Sequence, residues 1–293
     1  MSLSFPIYDV APTDFPPLLR EIPQVPVTLN YRGVLPTSTM KLLAVIGSRK
    51  YSTYGKQVVE HLIAGLEGYN VGIVSGLALG IDSLAHEAAL RHNLYTLAVP
   101  GSGLSDDVIY PATHKPLARR ILEAGGGMLS EFAPDFTATK WSFTQRNRIM
   151  AGISHATLMI EASEKSGTLI TARMATDYNR ELLVVPGNIF SQNTAGPHQF
   201  LKLGAIPVTN ARDILYTLGF SQDDVEQEPK VSISLQSLSE DERLIIESLR
   251  EPIEKDNLIR LCNLQPHIAN ALLMQMEMKG LIASENNQYR VVI

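Results

Sequence analysis

The sequence of 293 residues has a single cysteine, Cys262, and no run near the roughly 20 apolar residues that a membrane-spanning helix needs. One cysteine excludes an internal disulfide and any thiolate cluster for zinc or iron–sulfur. It lies among apolar residues in LIRLCNL, so we expect a buried thiol. The N-terminus has neither the charged region nor the uninterrupted apolar region of a signal peptide. We therefore expect a cytoplasmic protein that does not contact a membrane.

Catalytic and metal-binding motifs are also absent from the sequence. It contains no G-x-G-x-x-G after the first predicted strand, and no G-x-x-x-x-G-K-[ST], G-x-S-x-G or H-E-x-x-H. The seven histidines show no metal-ligand spacing. His86 is better interpreted as a packing residue, and Asp82 as a helix-capping residue. We predict no catalytic residues, no metal and no cofactor, which favours binding over catalysis.

Negative charge is concentrated at the C-terminal end of the chain. The formal net charge is −5, and residues 221–238 and 239–293 each carry −3. The remaining 220 residues therefore carry +1. A near-neutral domain of this kind can still present a local cationic cleft to an anionic partner.

Short apolar runs that alternate with helical stretches predict the main domain, residues 42–220. The predicted strands are 42–47, 71–76, 95–101, 127–132, 156–162, 182–187 and 205–208. This alternation predicts an α/β fold with a mostly parallel sheet and helices on both faces. Residues 1–41 contain seven prolines and no sustained period, so they are predicted to be an extended segment packed on this domain.

The C-terminal quarter is predicted to be a linker followed by a small domain. Residues 221–238 are polar, acidic and without periodicity, which is typical of a linker. Residues 239–293 have the pattern of three short helices and a hairpin, which predicts a winged-helix domain, with Ser239 and Glu242 spaced as a capping box. Its third helix offers only His267 and Lys279 as cations. We therefore favour protein contact or packing over DNA reading for this domain.

Four glycine-containing turns should meet at the carboxyl ends of the predicted strands, where ligands of such sheets bind. They are GSRK, SGLALGID, PGSGLSDDVIYP and EKSGTLITAR. Glycine allows the backbone to approach a phosphate, and each following helix directs amide groups towards it. Any one of these glycines alone is equally well explained by turn structure. The predicted phosphate-binding residues are Gly47, Ser48, Arg49, Lys50, Ser75, Gly76, Gly80, Gly101, Ser102, Gly103, Ser166, Gly167 and Thr168.

The stretch KWSFTQRNRIMAG, residues 140–152, adds cations beside aromatic residues. Cations near the start of a helix oppose its dipole unless an anion lies nearby, and aromatic residues beside arginines suit unpaired bases on a phosphate track. The alternative is that the aromatic residues are core and that one arginine pairs with Glu131 or Glu161. The residues predicted to bind DNA here are Lys140, Phe143, Arg146, Asn147 and Arg148.

An ordered series of blocks from about residue 42 to 215 resembles the DNA-processing protein family DprA, also called Smf. The blocks are VIGSRKYSTYG, IVSGLALGIDSLAHEAAL, AVPGSGLSDDVIYPATHKPLARRILEAGGGMLSEF, RNRIMAGIS, IEASEKSGTLITARMA and VVPGNIF. The resemblance implies an extended Rossmann-like domain that binds single-stranded DNA, forms a homodimer and loads RecA recombinase onto DNA during natural transformation. It also implies DNA contacts by the cations of the GSR turn and the RNR segment, and an additional C-terminal winged helix.

Three functional hypotheses follow. The first is a non-catalytic protein that binds and protects incoming single-stranded DNA and loads RecA. The second is a nucleotide phosphoribohydrolase of the lysine-decarboxylase-like (LOG) group, although the turn SGTLITA has apolar and hydroxyl residues where that group has a glutamate. The third is a sensor that binds a small nucleotide and signals through the winged helix.

Overall fold

The computed structural model describes residues 5–226, 239–249, 253–262, 264–278, 281–285 and 288–291. The chain divides into two compact units, Met1–Gln227 and Glu228–Ile293. None of the helices in the described part of the chain is long and apolar enough to cross a bilayer.

The first unit is built on a nine-stranded sheet. Its strands are β1 (Ile7–Val10), β2 (Leu29–Gly33), β3 (Lys41–Ile46), β4 (Val71–Ser75), β5 (Tyr95–Ala98), β6 (Gly127–Ser130), β7 (Ala156–Met159), β8 (Glu181–Val184) and β9 (Ile206–Pro207). They lie in the order β1-β2-β6-β5-β4-β3-β7-β8-β9, and all pairs from β6 to β9 are parallel. The strand order reverses direction between β3 and β7, and in parallel sheets a ligand cleft forms at such a point.

Helices cover both faces of this sheet, as the sequence predicted. They are α1 (Thr53–Ala64), α2 (Ile81–Arg91), α3 (Lys115–Glu123), α4 (Lys140–Ile153), α5 (Thr168–Asp177), α6 (Ala195–Lys202), α7 (Ala211–Thr217) and α8 (Gln222–Glu226). In β3, Leu43 and Val45 join a core with α1 and α2, whereas Leu42 and Ile46 join a second core with α4 and α5. Alternate residues of a strand point to opposite faces, so a strand buried on both faces must be continuously apolar.

The structure departs from the predictions at both ends of this unit. The N-terminal segment does not simply pack on the domain, because β1 and β2 extend the sheet in antiparallel pairing beyond β6. Prolines around these short strands hide any alternating pattern. At the other end, the predicted linker begins with helix α8. This helix packs on the first unit because Val225 is buried in its core. Residues 227–238 of that linker lie outside the described residues.

Two arginines, one buried and one partly buried, connect the N-terminal segment to the sheet and its helices. Arg148, 3% exposed, forms an ion pair with Glu131 and donates a hydrogen bond to the carbonyl of Gln24. Arg180 donates to the carbonyl of Leu18 at 2.8 Å. The prediction that Arg148 contacts DNA is therefore wrong, and the alternative of a pair with Glu131 is correct. Residues two apart on a helix face different directions, which separates Arg148 from Arg146.

The second unit has the predicted winged-helix arrangement. Its elements are α9 (Glu240–Ser248), β10 (Ile253–Glu254), α10 (Lys255–Leu261), α11 (Pro266–Met278), β11 (Ile282–Glu285) and β12 (Gln288–Val291), with the strands ordered β10-β12-β11. Ser239 and Glu242 form the predicted capping box, and the thiol of Cys262 is buried as expected. His267 is exposed, while Lys279 lies outside the described residues.

We predict that Arg148→Met lowers the free energy of unfolding by about 3 to 5 kcal/mol, because Glu131 then stays inside without its partner. Burial already raises the pKa of Glu131, and loss of the guanidinium raises it further. The folded variant then binds a proton that the unfolded chain releases, so its stability falls as the pH rises from the ordinary pKa of Glu131 to the raised one. Urea denaturation should show a deficit that is largest at neutral pH and smaller near pH 4.

The control is Arg91→Met, which removes an exposed pair with Glu60. It should cost at most about 1 kcal/mol, with little change between these pH values. Equal losses in the two variants would contradict the structural role assigned to Arg148.

Candidate functional site

A cleft of about 570 Å³ opens at the carboxyl ends of the parallel strands, where the strand order reverses. It is formed by the turns after β3 and β4, the first half of α4, the loop before α5 and the residues before α6. Because these elements come from five parts of the chain, the cleft exists only in the folded sheet. The predicted binding residues in its lining are Gly47, Ser48, Arg49, Lys50, Phe143, Arg146, Asn147, Ser166, Gly167 and Thr168.

Arg49 and Lys50 are exposed cations at this cleft. The guanidinium carbon of Arg49 lies 5.3 Å from the ring centroid of Phe143, a cation–π arrangement that orients the side chain. The turn is held by Ser48, whose Oγ accepts the amide hydrogen of Lys50 at 3.0 Å. None of the ion pairs in the described part of the chain uses Arg49 or Lys50. Both cations can therefore receive an external anion.

Arg146 lies in the floor of the cleft. It is buried, whereas the sequence suggested an exposed side chain that contacts DNA. It is 4% exposed, and its guanidinium donates to the carbonyls of Gly76, at 2.7 Å, and Val99. Its Nε donates to Oδ1 of Asn147 at 3.1 Å. Burial lowers the pKa of Arg146 to about 10, so the group stays protonated at neutral pH. Arg146 contributes positive charge from below while its hydrogen bonds are directed into the protein.

Asp82 is a cleft residue that the sequence reasoning assigned to helix capping. Instead, its Oδ2 accepts the amide hydrogen of Gly76 at 3.1 Å, in the turn that precedes α2. Burial raises its pKa, and the positive charge of Arg146 and the Gly76 amide act in the opposite direction. Asp82 is the one carboxylate among the described residues that line the cleft, against the three cations Arg49, Lys50 and Arg146.

Several of the glycines and serines that were predicted to bind phosphate lie beneath the lining residues and pack against them or hold the strands in place. A Cβ at Gly76 would collide with the guanidinium of Arg146, and one at Gly101 would lie 2.6 Å from the Phe143 ring. Ser75 donates its hydroxyl to the carbonyl of Val45 at 2.7 Å. Six residues predicted to contact phosphate are instead buried and lie outside the cleft lining, so the structure does not support direct contacts by them. They are Ser75, Gly76, Gly80, Gly101, Ser102 and Gly103.

The loop before α5 is tied to the first turn of the cleft. The hydroxyl of Thr168 donates to the carbonyl of Gly47 at 3.0 Å, and that of Ser166 donates to Thr168 at 2.9 Å. These bonds join the ends of β3 and β7 at the point where the strand order reverses. They fix the cleft before any ligand arrives.

The first turn of α4 lies beside the cleft. Thr139 and Ser142 form a capping box, and the predicted Lys140 is exposed but is not in the lining. Trp141 is 57% exposed, so it is not a core residue, although it meets Phe132 edge to face at 5.7 Å. The Phe143 ring is half-buried, which leaves part of its surface accessible from the cleft.

Several lining residues were not predicted as binding residues. They are Ile46, Ala78, Asp82, Thr144, Met150, Ser163, Thr171, Gln192 and Asn193. The PGN turn after β8 is the sequence feature that could have indicated Gln192 and Asn193 as cleft residues. They lie several residues beyond it, so the turn alone does not identify them. The described residues contain no group of His, Cys, Asp or Glu that could hold a metal ion.

Comparison with protein families covers most of the chain. The family model described as DNA recombination-mediator protein A matches residues 7–219, and the model of the DprA winged helix domain matches residues 231–287. The chain is 40% identical over 221 residues to Protein Smf of Escherichia coli, covering 74% of this chain and 59% of that protein. It is also 40% identical over 218 residues to DNA processing protein DprA of Streptococcus pneumoniae, covering 74% and 75%. The match therefore spans less than two thirds of the Escherichia coli relative.

Solved structures of the same family share the fold. The X-ray structure of DprA from Streptococcus pneumoniae has a TM-score of 0.67 at 38% identity and covers 74% of this chain and 75% of that one. The structure of DNA processing protein A from Helicobacter pylori has a TM-score of 0.65 at 30% identity and covers 73% and 96%. The latter structure concerns that protein's single-stranded DNA binding mode. With family models matched across both units, this chain belongs to the DprA (Smf) family of DNA recombination-mediator proteins.

Proposed function

We propose that this chain binds single-stranded DNA in the cleft without cleaving it, protects the strand and loads RecA recombinase onto it in natural transformation. The observation that carries the proposal is the exposed pair Arg49 and Lys50 at the mouth of a cleft with a net positive lining. The Helicobacter pylori relative, whose structure concerns single-stranded DNA binding, supports the same ligand.

The cations of the cleft suit a phosphate backbone. Arg49 presents a planar fork that two phosphate oxygens can share, and Lys50 adds a point charge. Arg146 increases the potential from beneath, because a charge in a poorly solvated floor is screened less than one in water. Asp82 offsets only part of this charge.

The aromatic ring at the cleft favours an unpaired strand over a duplex. Phe143 lies under Arg49 and keeps part of its surface accessible. Unpaired bases offer faces that stack on such rings, whereas the base faces of a duplex are covered by neighbouring pairs. We propose that sequence preference is weak, since stacking and phosphate contacts carry little base information.

The carboxylates near the cleft support binding over catalysis. Asp82 is buried and accepts the Gly76 amide. Glu161 accepts hydrogen bonds from the amide and hydroxyl of Ser52 at 2.9 and 2.5 Å. A phosphoribohydrolase needs a carboxylate free to stabilise positive charge on the ribose, and both of these are already engaged.

The homodimer and the transfer of DNA to RecA are further parts of the proposal, supported by family membership. Transfer predicts that the protein speeds the start of RecA ATPase activity on DNA already coated with single-strand binding protein. Sedimentation equilibrium measures the dimer independently of DNA.

We predict that affinity for an oligothymidylate falls with salt, with a log–log slope of about −0.7 per phosphate neutralised. Arg49→Ala should weaken binding about tenfold at low salt and reduce the slope by about 0.7, because one charge-assisted contact is lost. Fluorescence anisotropy at several salt concentrations measures both quantities. Arg212→Ala, which removes an exposed arginine on α7, is the matched control and should change neither. Equal effects of the two substitutions would show that only net charge matters.

We also predict that the protein leaves nucleoside monophosphates and oligothymidylates intact. Prolonged incubation followed by chromatography should detect no free base and no shortened strand, because Asp82 and Glu161, the carboxylates described at or near the cleft, both already accept hydrogen bonds. A competition assay with a duplex of the same length should show weaker binding of the duplex. Release of free base would favour the phosphoribohydrolase alternative.

A further inference from the structure

The turn after β8 exposes two large apolar side chains to solvent. Phe190 is 89% exposed and Ile189 is 77% exposed. Neither belongs to a core cluster of the described residues. An adjacent pair of large apolar residues held this far into water marks a contact surface more often than an isolated one does.

This turn is held in place by hydrogen bonds. The amide of Phe190 donates to Oδ1 of Asn188 at 2.8 Å, and the hydroxyl of Thr194 donates to the carbonyl of Asn188 at 2.5 Å. The hydroxyl of Tyr54 donates to the carbonyl of Pro186 at 2.8 Å. Phe190 is therefore presented on a fixed backbone, so a ligand that contacts it has to order the side chain but not the backbone of the turn.

The turn is continuous with the cleft. Gln192 and Asn193, two and three residues after Phe190, line the cleft, and Nδ2 of Asn193 donates to the carbonyl of Lys50 at 3.0 Å. Strand β8 lies two positions from β3 in the sheet, which places their carboxyl ends about 10 Å apart. A strand whose phosphates are held at Arg49 reaches this turn within a few nucleotides.

The surroundings of Phe190 suit an anionic polymer that carries flat bases. Residues 186–198 include no aspartate or glutamate, so the turn does not repel phosphates. A protein partner could use the same apolar surface, but the bonded connection to Lys50 places it beside the phosphate-binding cations. This position favours a base of the bound strand as the occupant.

We propose that Phe190 is a base-stacking platform at the β8 side of the cleft, which receives an unpaired base beyond the phosphates held at Arg49 and Lys50. The inference rests on the proposed function and deepens it, because it assigns the direction in which the strand leaves the cleft. Stacking on one aromatic ring corresponds to roughly 5- to 100-fold in affinity.

The test compares an oligothymidylate of about 16 nucleotides with a strand of the same length that lacks bases. Phe190→Ala should lose about tenfold in affinity for the oligothymidylate and nothing for the abasic strand, since the latter has phosphates but no base to stack. Phe190→Trp should restore binding. Two further strands carry an abasic block at the 5′ end or at the 3′ end. Phe190→Ala should weaken binding only of the strand that keeps its bases at the Phe190 end, which reports the polarity of the strand.

Tyr216→Ala is the matched control, because it removes a partly exposed aromatic side chain on α7. If Phe190→Ala lost the same affinity for the oligothymidylate and for the abasic strand, or lost none for either, the stacking role would be overturned. Salt-dependent binding by the unmodified protein would be unaffected by that result. Another outcome is that Phe190→Ala changes the oligomeric mass in solution without DNA and still prefers the oligothymidylate over the abasic strand as the unmodified protein does. That result would identify a contact between copies of the chain and would also overturn the stacking role. Failure of the unmodified protein to bind either strand would refute the proposed function itself.

Discussion

The buried guanidinium of Arg146 needs hydrogen-bond acceptors and a nearby negative charge inside the protein. The turns at the carboxyl edge of the sheet and the start of α2 supply both. The guanidinium donates to carbonyls that follow β4 and β5, and Gly76 lacks a side chain where the guanidinium lies. Asp82 faces the same charge and is itself fixed by the Gly76 amide. A buried charge without these partners would cost several kcal/mol, so the turns that form the cleft are held in one arrangement.

The helix that contributes Arg146 also connects the cleft to the N-terminal segment. Two residues further along α4, Arg148 faces the opposite side and pairs with Glu131 while it donates to the Gln24 carbonyl. The two arginines look alike in the sequence, yet one supports the cleft and the other joins the segment to the sheet. The exposed cations Arg49 and Lys50 then face solvent at a rim whose geometry is already fixed.

The sequence was sufficient for the central sheet, because fully buried parallel strands such as β3 and β7 are continuous apolar runs. It was insufficient for β1 and β2, which are short antiparallel strands among prolines. Three of the four glycine-containing turns contribute lining residues to the cleft, and the turn PGSGLSDDVIYP contributes none. The structure explains Gly76 and Gly101 by tertiary contacts with Arg146 and Phe143. Residues such as Asn193 reach the cleft only through the strand order, which no local pattern shows.

If this chain binds single-stranded DNA as proposed, the phosphates lie at the turn after β3. A crystal structure with an oligothymidylate of about eight nucleotides tests it most directly. Phosphate oxygens should lie about 2.7 to 2.9 Å from the Arg49 guanidinium, with a base against Phe143. A strand bound on another surface, with Arg49 directed to solvent and the cleft filled by water, would contradict it.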